Sequence, residues 1–251
     1  VPVVKDSYIK FKTAGSHEFI LGIMGVPTFE MVEKVWGWRE IERTPLDLHK
    51  YASSRDFGIA FKKPYSKDCR INYTFMLGNG TGNKSEENKG KKAYLLLGLK
   101  PVKVLYLELY GDIEYTEVNK YKHTNQGFIG MMYPKVKAGL LYAIQTHVDD
   151  GEEEEFEIGS VFFSSSLSSK LNLAKRYDVN FQPNPKSDEI SYIPYLTTSP
   201  ANLAILGISY KLNDKIKIIP NVEYYTYDSE EGIDEIPDPE LYYTLTVTYS
   251  W

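Results

Sequence analysis

The sequence predicts an all-β fold, a transmembrane antiparallel β-barrel, from three observations. Apolar and polar residues alternate with period two over most of the 251 residues, as they do along strands with one oily and one wet face. The connections alternate between short turns and long polar loops. The chain closes on a strand with Leu241, Tyr243, Leu245, Val247, Tyr249 and Trp251 on one face and Tyr242, Thr244, Thr246, Thr248 and Ser250 on the other.

The composition narrows the alternatives. Lys and Arg total 29 against 34 Asp and Glu, a net charge of −5, so there is no basic face to hold nucleic acid. No apolar run approaches the roughly 20 residues of a spanning helix. One Cys excludes an internal disulfide framework and a Cys-based zinc site, and the four His have no metal spacing. No cofactor is expected. Aromatic residues make up 14% of the chain, 21 of them Tyr, and suit the girdles where a ring meets lipid and its hydroxyl meets water.

The strands are placed near 4–13, 17–24, 53–63, 69–79, 92–100, 103–115, 124–133, 136–147, 155–166, 169–180, 202–212, 216–227 and 240–251, about thirteen in all. Phe57, Ile59 and Phe61 alternate with Asp56, Ala60 and Lys62. Ile71, Tyr73, Phe75 and Leu77 alternate with Asn72, Thr74 and Met76. Leu105, Leu107 and Leu109 alternate with Tyr106, Glu108 and Tyr110. Leu140, Tyr142 and Ile144 alternate with Leu141, Ala143 and Gln145, and Ile216, Ile218 and Val222 with Lys217, Ile219 and Asn221. Segments 124–133 and 156–166 are too uniformly small or apolar to show a phase. Short turns are expected at 14–16, 64–68, 101–102, 134–135, 167–169 and 213–214. Long loops are expected at 25–52, 80–91, 117–123, 147–155, 181–200 and 228–239. Pro220 cannot donate to a ladder, so a bulge, or a place needing no donor, is expected there.

Period two alone fits a sandwich as well as a barrel. Sorted loops and polar alternate faces favour lipid outside and a wet lumen within, with closure satisfying the backbone.

Several stretches carry a resemblance. Gly-Val-Pro-Thr-Phe-Glu-Met-Val-Glu-Lys-Val-Trp-Gly-Trp-Arg at 25–39, Glu-Arg-Thr-Pro-Leu-Asp-Leu at 42–48 and Ser-Ser-Arg-Asp-Phe-Gly at 53–58 resemble bacterial outer-membrane porins of the phosphate-selective (O/P-like) superfamily in its broad sense. Met-Leu-Gly-Asn-Gly-Thr-Gly-Asn at 76–83, Leu-Lys-Pro-Val at 99–102 and Pro-Asn-Val at 220–222 fit the same pattern. The resemblance implies a large barrel with a diffusion channel in the outer membrane, often a homotrimer. It does not imply phosphate, because rows of Lys and Arg are missing. Bacterial single-chain barrels have even strand counts. About sixteen strands are therefore expected if N-terminal strands are missing, and otherwise 12 or 14.

Loop 25–52 holds the densest chemistry: Glu30, Glu33, Lys34, Arg39, Glu40, Glu42, Arg43 and Asp47 around Phe29, Trp36 and Trp38. It is expected to fold into the lumen as a constriction with a transverse field; a solvated outer loop is the alternative. Pore-lining positions are expected at Arg55 and Asp56 as a charge pair, and at Tyr106, Glu108, Asp112, Arg176, Asp178, Lys217 and Glu223 facing water. Arg176 could instead form a structural pair with acids opposite. Tyr106, Tyr110, Tyr225, Tyr227 and Tyr242 either stack sugars or fill the wall. The acidic stretch at 149–155 reads as a solvated loop tip.

The function expected is passive diffusion of small hydrophilic solutes or ions, with no bond made or broken and a slight cation preference. A plugged, non-conducting barrel, an anion- or phosphate-selective channel and a secreted carbohydrate-binding module are the rivals.

Overall fold

Period-two alternation becomes a ladder of hydrogen-bonded strands. The computed structural model describes residues 4–66, 69–84, 90–184, 186–190, 197–229 and 236–250. Thirteen strands form one antiparallel sheet, each paired with the next in sequence. They are β1 (Ser7–Lys12), β2 (Glu18–Gly25), β3 (Arg55–Lys63), β4 (Ile71–Gly78), β5 (Lys91–Val102), β6 (Leu105–Glu117), β7 (Lys120–Met132), β8 (Val136–Asp149), β9 (Glu152–Ser166), β10 (Leu171–Asn180), β11 (Ala201–Lys211), β12 (Ile216–Tyr227) and β13 (Glu240–Tyr249). Two short helices, α1 (Glu30–Trp36) and α2 (Pro45–Leu48), lie between β2 and β3. Trp251, and parts of the expected loops at 80–91, 181–200 and 228–239, fall outside the described residues.

The chain divides into two units. One holds β1 to β6, residues 120–129 of β7 and 143–149 of β8. Its exposed face is apolar and in register: Phe11 lies opposite Phe19, Phe19 opposite Phe61, Phe61 opposite Phe75 and Phe75 opposite Leu95. Every member of that row is exposed, the reverse of what water selects and what acyl chains select. The opposite face is polar and buried. Asp56 there accepts from the Tyr94 hydroxyl at 2.6 Å, from the Gly80 amide at 2.8 Å and from the Phe57 amide at 3.0 Å. Lys92 bridges Asp112 and Glu114, each at 3.2 Å.

Gly22, Gly58 and Gly78 lie opposite one another across β2, β3 and β4. Gly22 has φ +131°, and a Cβ there would come within 2.2 Å of the Ser7 carbonyl oxygen. Gly22→Ala is expected to cost about 1–3 kcal/mol. The loss should appear as a smaller refolded fraction in the heat-modifiable gel band.

The second unit holds β10 to β13, residues 130–132 of β7, 136–142 of β8 with the turn between them, 156–166 of β9 and segment 32–50. It shows the same two faces. Val161 and Tyr177 pair on the exposed side, as do Leu173 with Ile208 and Tyr210 with Ile218. On the buried side Leu48 packs with Ile190, Leu203, Ile205, Tyr225 and Tyr227.

Two expected loops are turns instead. β6 and β7 are joined by Val118 and Asn119 alone, and β8 and β9 by Asp150 and Gly151. Asn119 (φ 61°), Asp150 (φ 50°) and Gly151 (φ 92°) supply the left-handed backbone that tight hairpins need. The charges at 117–123 and 147–155 belong to strand ends. β8 has 14 residues and β9 has 15, longer than the roughly 9–11 of a bilayer-crossing strand, and the four Glu that open β9 are exposed. At Pro220 no bulge forms: the β12–β13 register runs unbroken through Pro220 opposite Leu245. The irregularity lies between Leu99 and Val102, in the β5–β6 pairing.

Candidate constriction site

The segment between β2 and β3 is a folded insert. Its base is closed by the Val26 amide donating to the Ser54 carbonyl at 3.3 Å. Pro27 opens a 3-10 turn that runs directly into α1, the place where a missing N–H costs nothing. Helical spacing puts Val32, Val35 and Trp36 inside, and Trp38, Leu46 and Leu48 of the same unit are buried too. Glu33, Lys34 and Arg39 stay on the more open side.

In the first unit the insert is held by polar side chains of the sheet. Thr28 donates to Gln126 at 2.8 Å. Gln145 spends both amide protons, one on the Tyr51 carbonyl at 2.7 Å and one on Thr124 at 2.8 Å. Lys62 pairs with Glu30 at 2.5 Å.

In the second unit the hold is stronger. Arg176 is 3% exposed and Asp178 0%. Arg176 Nε donates to both Asp178 oxygens, at 2.8 and 3.0 Å, and Nη2 donates to Asp178 as well. Nη1 donates to the Arg43 carbonyl, and the guanidinium lies 5.4 Å from the Trp36 ring centre. Trp36 in turn donates to the Glu42 carbonyl at 2.8 Å and meets the Phe162 ring edge-on. The Ser160 hydroxyl donates to Asp178 at 2.6 Å, and His49 Nε2 lies 3.0 Å from its other oxygen. The Asn180 amide nitrogen gives one proton to the Ala201 carbonyl at 2.8 Å and one to His49 Nδ1 at 3.2 Å. That assigns His49 the neutral Nε2–H tautomer. Asn184 donates to the His49 carbonyl at 2.7 Å.

Two titratable groups of the insert are shifted. Burial raises Glu42, 5% exposed, from 4.5 to about 7, and the nearby Glu223 carboxylate adds to this. The Arg43 amide and the Arg176 and Arg43 cations oppose it. Protonated Glu42 therefore favours the docked insert. This contribution is complete below about pH 4.5 and is lost as pH rises through about 7. Burial lowers His49 against the pull of Asp178. Its contribution is present above 6.5 and fades as pH falls below that value.

The other expected site residues separate into three groups. Within the insert the charges are paired: Arg39 with Glu33 at 2.5 Å and Asp47 at 2.9 Å, Arg43 with Asp47 at 4.0 Å, and Glu40 with Lys217 at 2.6 Å. The Lys34 carbonyl accepts from Lys137 at 2.9 Å. On the polar strand face Asp56, Glu108, Asp112, Arg176 and Asp178 are buried in hydrogen-bonded networks rather than facing open water. Asn72 donates to Glu108 at 3.3 Å, and the Tyr110 hydroxyl donates to Asp112. Arg176 pairs with Asp178 two residues along its own strand, not with acids opposite. Tyr225 donates to Glu223 at 2.6 Å and Tyr227 to Glu240 at 3.1 Å, while Tyr106 stands edge-on to Tyr65, as wall-filling rings do. Arg55 stands apart. It shares the phase of exposed Phe57 and Ile59, opposite to Asp56, and pairs with Asp6 at 2.8 Å, so the Arg55–Asp56 pair does not form.

Gln126, Ser160 and Phe162 lie in the two segments without a readable phase. Gln145 was placed on the face opposite Leu140, Tyr142 and Ile144 by alternation, whereas His49, Asn180 and Asn184 carried no local signal beyond their polarity.

Solved structures that resemble this chain include bacterial outer-membrane barrels. The anion-selective porin from Comamonas acidovorans superposes with a TM-score of 0.67 at 13% identity, over 93% of this chain and 74% of that one. A loop L8 deletion mutant of OmpT, an outer membrane protein of Vibrio cholerae, gives 0.67 at 13%, over 97% and 78%. The fold is that of an outer-membrane β-barrel. In-vitro folded OmpT gives 0.63 at 11%, over 94% and 76%. No protein-family model and no curated protein sequence matches the chain.

Proposed function

We propose that this protein is a porin of the bacterial outer membrane, passing small hydrophilic solutes and ions by passive diffusion, with residues 25–52 folded into the lumen as its constriction. The observation that carries this reading is the division of the sheet into an exposed apolar face and a buried polar face, with the insert gripped by the polar one. Exposed Phe and Leu rows call for lipid, and the polar side chains that alternate with them suit the interior of a barrel. Membership of the phosphate-selective superfamily in its broad sense, assembly as a homotrimer and the absence of catalysis belong to the same proposal. Native gels of unheated protein test the trimer.

Reversal potential in a steep KCl gradient tests the channel itself. The insert's charges are mostly paired, so selectivity should be weak near neutrality. Between about pH 6 and about pH 8, ionisation of Glu42 adds one negative charge at the constriction. The potential is expected to move toward cation preference over that window, and Glu42→Gln should abolish the movement. A sealed bilayer would instead favour the plugged barrel, for which the dense packing of the insert is the specific argument.

A further inference from the structure

A cavity of about 210 Å³ in the second unit lies beside the insert and is lined in part by its Gly37, Trp38 and Glu40. It sits on the polar face, at the short-turn end of β8 to β12. Its floor is a row in direct register, with Asn172 opposite both Ser166 and Ser209. In the next row Ala174 faces Ser164 and Gly207, so no large side chain rises from the floor. Trp38 forms a wall, and Lys135, Lys137 and Lys217 reach the cavity from the turn before β8 and from the starts of β8 and β12.

The charge balance is positive. Lys217 pairs with Glu40 at 2.6 Å. Lys137 gives one proton to the Lys34 carbonyl at 2.9 Å and has no ion pair among the described residues. Lys135 is exposed and has no ion pair among the described residues. Ser209 is the independent sign of a ligand. It is 4% exposed, lines the cavity, and its hydroxyl has no hydrogen-bond partner among the described residues. Buried hydroxyls are normally satisfied by protein, water or ligand.

We infer that this cavity is a binding subsite for a small polyhydroxylated carboxylate, a sugar acid. The ammonium groups take the carboxylate. The Ser166–Asn172–Ser209 row both donates and accepts, as a polyol requires, and Trp38 offers an apolar wall to its C–H face. The inference deepens the channel reading and rests on it only for how the solute arrives.

The test is calorimetric titration of the full chain in detergent micelles with sodium gluconate, glucose and inorganic phosphate. Gluconate should bind at least about tenfold more tightly than either other probe. Ser209→Val and Lys137→Gln should each weaken it several-fold. Equal binding of glucose would show that the charges do not select. Equal binding of phosphate would show that the hydroxyl row does not. Either result, or variants that bind like the parent, overturns the inference. Conductance of the same preparation separates the two readings: a conducting protein that ignores gluconate loses the subsite alone, and a silent one that binds it loses the channel alone.

Discussion

Arg176→Met is expected to widen the channel and to destabilise the protein. The substitution leaves Asp178 buried with its main cation gone, and removing one partner of a buried pair costs about 3–5 kcal/mol. It also frees the Arg43 carbonyl and unstacks Trp36, both inside the insert. Single-channel conductance should rise about twofold or more and become noisier, with the insert newly open to trypsin. Adding Asp178→Asn removes the stranded charge. The double variant should recover much of the stability lost in the single one while conductance stays high, because Arg43 and Trp36 still lack their partner. A destabilised Arg176→Met barrel with unchanged conductance would show that the insert does not set the bore.

The second large effect concerns the exposed face. Phe75→Arg or Leu95→Arg places a cation in the row that runs from Phe11 to Leu95. If acyl chains cover that row, each change costs about 2–4 kcal/mol in a bilayer. The urea midpoint for folding into phospholipid vesicles reads that cost directly. Thr244→Arg, on the hydroxyl face of β13, should fold nearly like the parent. Equal tolerance of all three would mean that water, not lipid, bathes Phe75 and Leu95.

The strands were legible because side chains alternate sides whatever the tertiary context. Phe57, Phe75 and Leu109 reveal their face by neighbours two residues away. The turns at Val118–Asn119 and Asp150–Gly151 were hidden by charge: Glu152, Glu153, Glu154 and Glu155 look like a loop but continue β9 beyond the membrane's thickness. The polar face was readable in direction and not in burial. Glu108 and Asp178 point where alternation puts them, but what satisfies them is decided across the fold. His49 is the clearest case. Nothing near it in sequence marks it, and its partner Asp178 lies 129 positions away. The charge crowding of 26–52 was visible, whereas the pairing of Arg39 with Glu33 and Asp47 needed the helix and its turn.

The grip on the insert has a consequence for the order of assembly. Thr28 is held by a residue 98 positions downstream, and His49 by residues 129 to 135 positions downstream. Closing loops of that length is entropically dear until the intervening strands are in place. The insert is therefore expected to dock late, only once the tenth strand has arrived to clasp it.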